Sequence, residues 1–163
     1  MINFAVNFNG PILIRYPRGG EGKLKLKCNE KIVLGKSELL KEGSDVTIIA
    51  IGKMVEKAVE VADEFSKIGV NAEIINARFL KPIDKELLDR LFKDHKKVVT
   101  IEDNVITGGF STNINKFIID NKYDIDIINI ALPEEFIPHG SVDEIYNSVG
   151  LSPIKIAEKI KSW

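Results

Sequence analysis

The sequence predicts an α/β fold of three layers, with helices on both faces of a mostly parallel sheet of about five strands. Three observations carry this. Short β-branched runs alternate along the chain with segments whose apolar residues fall at helical spacing. The clearest run, residues 46–51 (Val-Thr-Ile-Ile-Ala-Ile), is nearly continuous rather than alternating, as suits a strand buried on both faces. The order is strand then helix, repeated, which leads to parallel strands joined by right-handed crossovers.

The elements follow in order. Residues 1–5 read as the last piece of a helix. Gly10-Pro11 leads into residues 12–16, read as a strand. Pro17, Gly19, Gly20 and Gly22 then break regular structure. Lys23, Lys25 and Lys27 alternate with Leu24 and Leu26, the pattern of a short extended segment with a solvated face. Residues 1–30 are therefore expected to be the tail of a preceding domain plus a linker, with the boundary between residues 20 and 35. Residues 31–163 are expected to form the main domain.

The run 46–51 ends at Gly52. Met54, Ala58, Val61, Ala62, Phe65 and Ile68 then make one helical face, closed by Gly69. Residues 72–76 are the next strand. Asp84 can cap a helix carrying Leu87, Leu88, Leu91 and Phe92. Residues 97–101 form a third strand, Gly108-Gly109 a turn, and Phe110, Ile114, Phe117 and Ile118 another helical stripe. Residues 125–130 are a fourth strand. Ser141 with Glu144 makes a capping box, and Ser152-Pro153 opens the last helix, whose inner stripe is Ile156, Ala157 and Ile160.

Composition excludes several function classes. The chain has 163 residues, 44% hydrophobic and 29% charged, enough for one well-cored domain. Its 23 basic and 24 acidic residues leave a formal charge of -1, with no block of one sign. Nucleic acid and anionic membrane are thus not expected as partners. No apolar run reaches the roughly 20 residues of a membrane span. The single cysteine, Cys28, permits no internal disulfide, and His95 and His139 form no ligand motif. A cytoplasmic protein is expected.

Ligands of open α/β sheets meet the carboxyl ends of the strands. The candidates there are Gly52-Lys53, Asn76-Ala77-Arg78, Glu102-Asp103-Asn104 and Leu132-Pro133-Glu134. Glu102 and Asp103 are adjacent and point opposite ways on an extended chain, so they make a poor carboxylate dyad. A hydrogen-bonding or interface role is expected of them. Gly108-Gly109 before a helix is read first as a tight turn, and second as a cradle for an anion. Arg78 and Lys81 suit either an anion or the bracing of their own loop. His139 is read as a hydrogen-bonding residue of a loop. Arg15 and Arg18 flank Tyr16-Pro17. A guanidinium held by that rigid stretch suits a phosphate, and an ion pair at a domain edge accounts for it equally well. There is no Walker pattern, no Gly-x-Gly-x-x-Gly and no Gly-x-Ser-x-Gly.

Read together, these segments resemble one family. The stretch 10–19 (Gly-Pro-Ile-Leu-Ile-Arg-Tyr-Pro-Arg-Gly) is similar to the end of the pyrimidine-binding domain of the deoxyxylulose-phosphate synthases. Leu34-Gly35-Lys36, Ala50-Ile51-Gly52, residues 77–84 (Ala-Arg-Phe-Leu-Lys-Pro-Ile-Asp), residues 100–104 (Thr-Ile-Glu-Asp-Asn), Gly108-Gly109-Phe110, Leu132-Pro133 and residues 136–140 (Phe-Ile-Pro-His-Gly) follow in the family's order. The resemblance spans nearly the whole chain. Asp103 and Ser111 depart mildly from it, standing where Glu and Gly are common. Some of these motifs occur more loosely across the transketolase superfamily, including the β subunits of 2-oxo acid dehydrogenases. A transketolase half or such a subunit is the alternative, and a free-standing anion-binding module is a third.

The resemblance implies a transketolase C-terminal-like domain of a thiamine-diphosphate-dependent enzyme. That enzyme joins pyruvate to D-glyceraldehyde 3-phosphate with loss of carbon dioxide, feeding isoprenoid, thiamine and pyridoxal synthesis. Thiamine diphosphate and Mg2+ would sit in the family's other two domains, so this chain is expected to bind neither, to hold no catalytic residue and to be inactive alone. Arg18 matches the position that holds the substrate phosphate, with Arg15 beside it. Arg78, Lys81, Glu102, Asp103 and His139 remain interface or loop candidates. The expected partners are the rest of the same enzyme and a second copy in a homodimer. The abrupt start at Met1 reads as a piece of a longer enzyme, with a naturally split subunit as the alternative.

Overall fold

The sheet is built around residues with no contact to water. In the computed structural model, which describes residues 1–16 and 31–163, every residue of strand Val46–Ala50 is buried. Its side chains alternate between two cores, as the strand period of two requires. Ile48 and Ala50 enter one core and Ile49 the other.

The elements, in chain order, are α1 (Ile2–Val6), β1 (Glu38–Lys41), β2 (Val46–Ala50), α2 (Met54–Lys67), β3 (Ala72–Asn76), α3 (Lys85–Asp94), β4 (Lys97–Val105), α4 (Phe110–Asn121), β5 (Asp126–Leu132), α5 (Val142–Ser148) and α6 (Pro153–Lys161). The five strands lie in the order β1-β3-β2-β4-β5. β2 pairs in parallel with β3 and β4, and β4 with β5, while β1 runs antiparallel on the edge beside β3. Met54, Ala58, Phe65, Leu151, Ile156 and Ile160 bring α2 and α6 onto one face. Leu88, Leu91, Phe92, Ile114 and Phe117 bring α3 and α4 onto the other. This is the predicted three-layer α/β/α arrangement, with its mostly parallel sheet of five strands.

The caps follow their chemistry. The Asp84 side chain accepts from the Leu87 N–H at 3.2 Å and opens α3. Ser141 and Glu144 form the reciprocal capping box of α5. Gly69, at φ +78°, takes the left-handed turn that ends α2.

Two elements differ from the sequence reading. Residues 12–16 form no strand: they are largely exposed and paired with no ladder among the described residues. Their apolar pattern suited a strand, but a strand exists only where a neighbour supplies hydrogen bonds. The fifth strand is instead β1, four residues long with a charge at each end. Its pairing with β3 makes it a strand, with Glu38 opposite Asn76 and Leu39 opposite Ile75. Arg18, Cys28 and the alternating lysines lie outside the described residues, as does most of the interval in which the domain boundary was placed.

Candidate functional site

Because β2 to β5 are parallel, their carboxyl ends gather on one edge of the sheet. β4 reaches furthest, running on to Val105. Glu102 and Asp103 thus lie within β4 and not just past its end, and their side chains part as expected on an extended chain.

Glu102 turns inward and is 2% exposed. Its carboxylate accepts from the backbone N–H of Phe110 at 2.7 Å and of Ser111 at 2.8 Å. These amides open α4, so the positive end of the helix meets an anion that the chain itself supplies. Gly109 is required for the approach. A Cβ there would stand 2.3 Å from Glu102 Oε2 and 2.4 Å from the Val105 carbonyl oxygen. The glycine pair therefore serves an anion already inside the fold.

Asp103 turns outward, onto an open groove of about 520 Å³ lined also by Leu132, Pro138, His139, Ile145 and Tyr146. The Tyr146 phenol lies close enough to the Asp103 carboxylate to feel its charge. Burial first, then the hydrogen-bonding pull and charge of Asp103, push the phenol's pKa upward, and the nearby Arg15 guanidinium opposes them. The Arg15 side chain donates from Nη2 to the Asp103 carbonyl oxygen at 2.9 Å, across 88 residues of sequence. The groove thus brings two of the candidates, Asp103 and His139, together with Tyr146, and Arg15 is bonded to the backbone of Asp103. Phe136 projects beside it, fully exposed.

Arg78 and Lys81 belong to a second cluster, in the loop after β3. The Arg78 backbone takes φ +55°, and its N–H donates to Asn76 Oδ1 at 3.2 Å. Its guanidinium lies 2.7 Å from Glu38 Oε1, with both side chains nearly buried (6% and 11% exposed). Asn76 Nδ2 donates to the other oxygen of Glu38 at 3.2 Å. A lone acid in a charged stretch gave no signal in sequence that Glu38 would be this partner. Lys81 is exposed, and its peptide bond to Pro82 is cis. Nearby, the Asp84 carboxylate accepts from the Ser37 N–H at 2.8 Å and stands 3.5 Å from Lys36 Nζ.

The segment of residues 1–16 touches both clusters. Phe4 meets Phe79 edge to face, with ring centres 5.8 Å apart, and Arg15 reaches β4. The edge offers hydrogen bonds, apolar contact and charge. Among the described residues no three of His, Cys, Asp and Glu come together as ligands for a metal ion. The described residues thus offer Mg2+ no site of three such protein ligands. Among the described residues no helix is long and apolar enough to cross a membrane.

Comparison with known proteins gives a consistent result. The family described as transketolase, C-terminal domain, matches residues 35–156. Curated relatives called 1-deoxy-D-xylulose-5-phosphate synthase include those of Dictyoglomus turgidum, 44% identical over 97% of this chain, and Clostridium acetobutylicum, 42% identical over all of it. The chain spans 26% of the length of each. A split-gene transketolase, described as an inactive β4 tetramer, superposes with a TM-score of 0.76 at 28% identity, covering 82% of this chain and 43% of that one. A transketolase from Campylobacter jejuni shares the fold, with a TM-score of 0.60 at 20% identity over 79% of this chain and 19% of its own.

Proposed function

The chain belongs to the transketolase C-terminal domain family, and from that premise we propose that it serves as the C-terminal domain of a thiamine-diphosphate-dependent 1-deoxy-D-xylulose-5-phosphate synthase. The observation that carries this is the identity of 42% to 44% to synthases of that name, sustained along essentially the whole chain. The enzyme would join pyruvate to D-glyceraldehyde 3-phosphate, releasing carbon dioxide and forming 1-deoxy-D-xylulose 5-phosphate for isoprenoid, thiamine and pyridoxal synthesis. Thiamine diphosphate, held with Mg2+ by the other domains, would supply the carbanion chemistry. The cytoplasm is the proposed setting.

In this assembly the α/β body is a brace. The partners are the rest of the same enzyme and a second copy in a homodimer. Large apolar side chains on residues 1–16 support such contacts: Val6 is 79% exposed, Leu13 91% and Tyr16 81%. Surfaces of this kind mark interfaces. Arg18 is assigned the substrate phosphate, on its place in the family's Arg-Tyr-Pro-Arg-Gly motif. The chain alone should be inactive.

The test uses the whole enzyme that carries this domain, loaded with thiamine diphosphate and Mg2+. Turnover of pyruvate with D-glyceraldehyde 3-phosphate, with both carbon dioxide and the five-carbon phosphate as products, is the expected result. Two-carbon exchange between sugar phosphates, or acyl transfer from a 2-oxo acid, would replace the synthase reading by a transketolase or a dehydrogenase β subunit.

A further inference from the structure

Of the two arginines that flank Tyr16-Pro17, Arg15 is the one whose side chain is described, and it is engaged within the fold. Its Nη2 donates to the Asp103 carbonyl oxygen at 2.9 Å. That carbonyl belongs to the irregular stretch of β4 that lies between Ile101, paired with both neighbouring strands, and Val105, paired with Leu132. Asp103 shares its groove with Tyr146, which is 6% exposed and anchored in the core beneath α5. At the other end of the same segment, Phe4 packs against Phe79, itself 7% exposed, in the loop after β3. Residues 4–15 are thus strapped at two points across the carboxyl edge of the sheet. Between and beside these points the chain turns Val6, Leu13 and Tyr16 outward, away from the domain that holds it.

We propose that Arg15 is a positioning residue, not a phosphate ligand: its hydrogen bond to β4 sets the angle at which the preceding part of the enzyme sits on this domain. This rests on the synthase reading above. A guanidinium directed at a neutral carbonyl gains one donor-acceptor contact, and loses the bidentate geometry that makes arginine a good phosphate binder. Its effect on catalysis should therefore not depend on whether the acceptor substrate carries a phosphate.

The experiment compares Arg15→Met and Arg15→Lys with the parent in the whole cofactor-loaded enzyme, using D-glyceraldehyde 3-phosphate and D-glyceraldehyde as acceptors. Arg15→Met is expected to lower kcat/KM about fivefold for both acceptors, the scale of one lost hydrogen bond. The preference for the phosphorylated acceptor should stay within about twofold of the parent's. Arg15→Lys keeps a donor for the carbonyl and should restore most of the loss. A collapse of the preference would make Arg15 a phosphate ligand and overturn the proposal, and so would unchanged kcat/KM for both acceptors. Thermolysin reads the strap without the reaction, since Leu13 and Ile14 offer it cleavage sites. Cleavage there should quicken in Arg15→Met and slow again in Arg15→Lys. Unchanged cleavage sinks the strap whatever the kinetics show. A parent enzyme that does not use pyruvate with these acceptors refutes the synthase reading alone, and the proteolysis then decides the strap.

Discussion

Glu102 shows how a single residue can be spent on folding while occupying a place that suggests chemistry. Its two carboxylate oxygens each take an amide hydrogen at the start of α4, and one of them, Oε2, also blocks any side chain at residue 109. Glu102→Ala should leave two buried N–H groups unpaired and cost about 3 kcal/mol, at the upper end for one buried site. Gly109→Ala should cost about 2 kcal/mol or more, because the added methyl meets backbone as well as carboxylate. Chemical denaturation of the isolated domain checks both. The parent Tyr146 gives a pH test. Its pKa is raised above the ordinary 10.0 by burial, and by Asp103 after that. A raised pKa means that the folded state holds the proton more tightly. The resulting stability is complete below about pH 10 and is lost as pH rises through the folded value. Tyr146→Phe should flatten the fall in stability above pH 10, and matching slopes for parent and variant would show that the phenol is not held this way. Sequence reasoning found Asp103 from its place after a strand. It had no means of finding Tyr146, because the two are joined only once α5 packs across the sheet.

Among the elements, legibility tracked the source of order. β2 reads directly from sequence because burial on both faces leaves a nearly unbroken apolar run. α3 and α5 read from their caps, since Asp84, Ser141 and Glu144 act within a few residues of themselves. β1 could not be read, being four residues held by their neighbour, and residues 12–16 carry a strand's pattern with no strand partner among the described residues. The Glu38–Arg78 pair fastens β1 to the loop after β3, and both ions are nearly out of water. Removing either alone takes the ion-pair partner from the other in a nearly buried place. Arg78→Met or Glu38→Leu should each cost about 3 kcal/mol, whereas the double variant should cost clearly less than the sum. A double-mutant cycle by urea unfolding measures the coupling. Additive losses would mean that the pair holds nothing together.

The whole molecule divides into a self-sufficient core and surfaces that look outward. Two clusters of buried side chains, one on each face of the sheet, provide what independent folding needs. A single cooperative unfolding transition is therefore expected of the chain alone. The outward surfaces lie at the carboxyl edge: the strapped segment with its exposed Leu13 and Tyr16, and Phe136 beside the groove. If cofactor chemistry belongs to the remaining three quarters of the enzyme, folding and cofactor binding should separate cleanly. A ligand that binds the folded state at one hundred times its dissociation constant adds about 2.7 kcal/mol of stability, which a thermal melt detects easily. Thiamine diphosphate with Mg2+ should raise the melting temperature of the whole enzyme and leave that of the isolated chain where it was. A shift in the isolated chain would mean that this domain contributes a cofactor site of its own, and the division between core and brace drawn from its carboxyl edge would then be wrong.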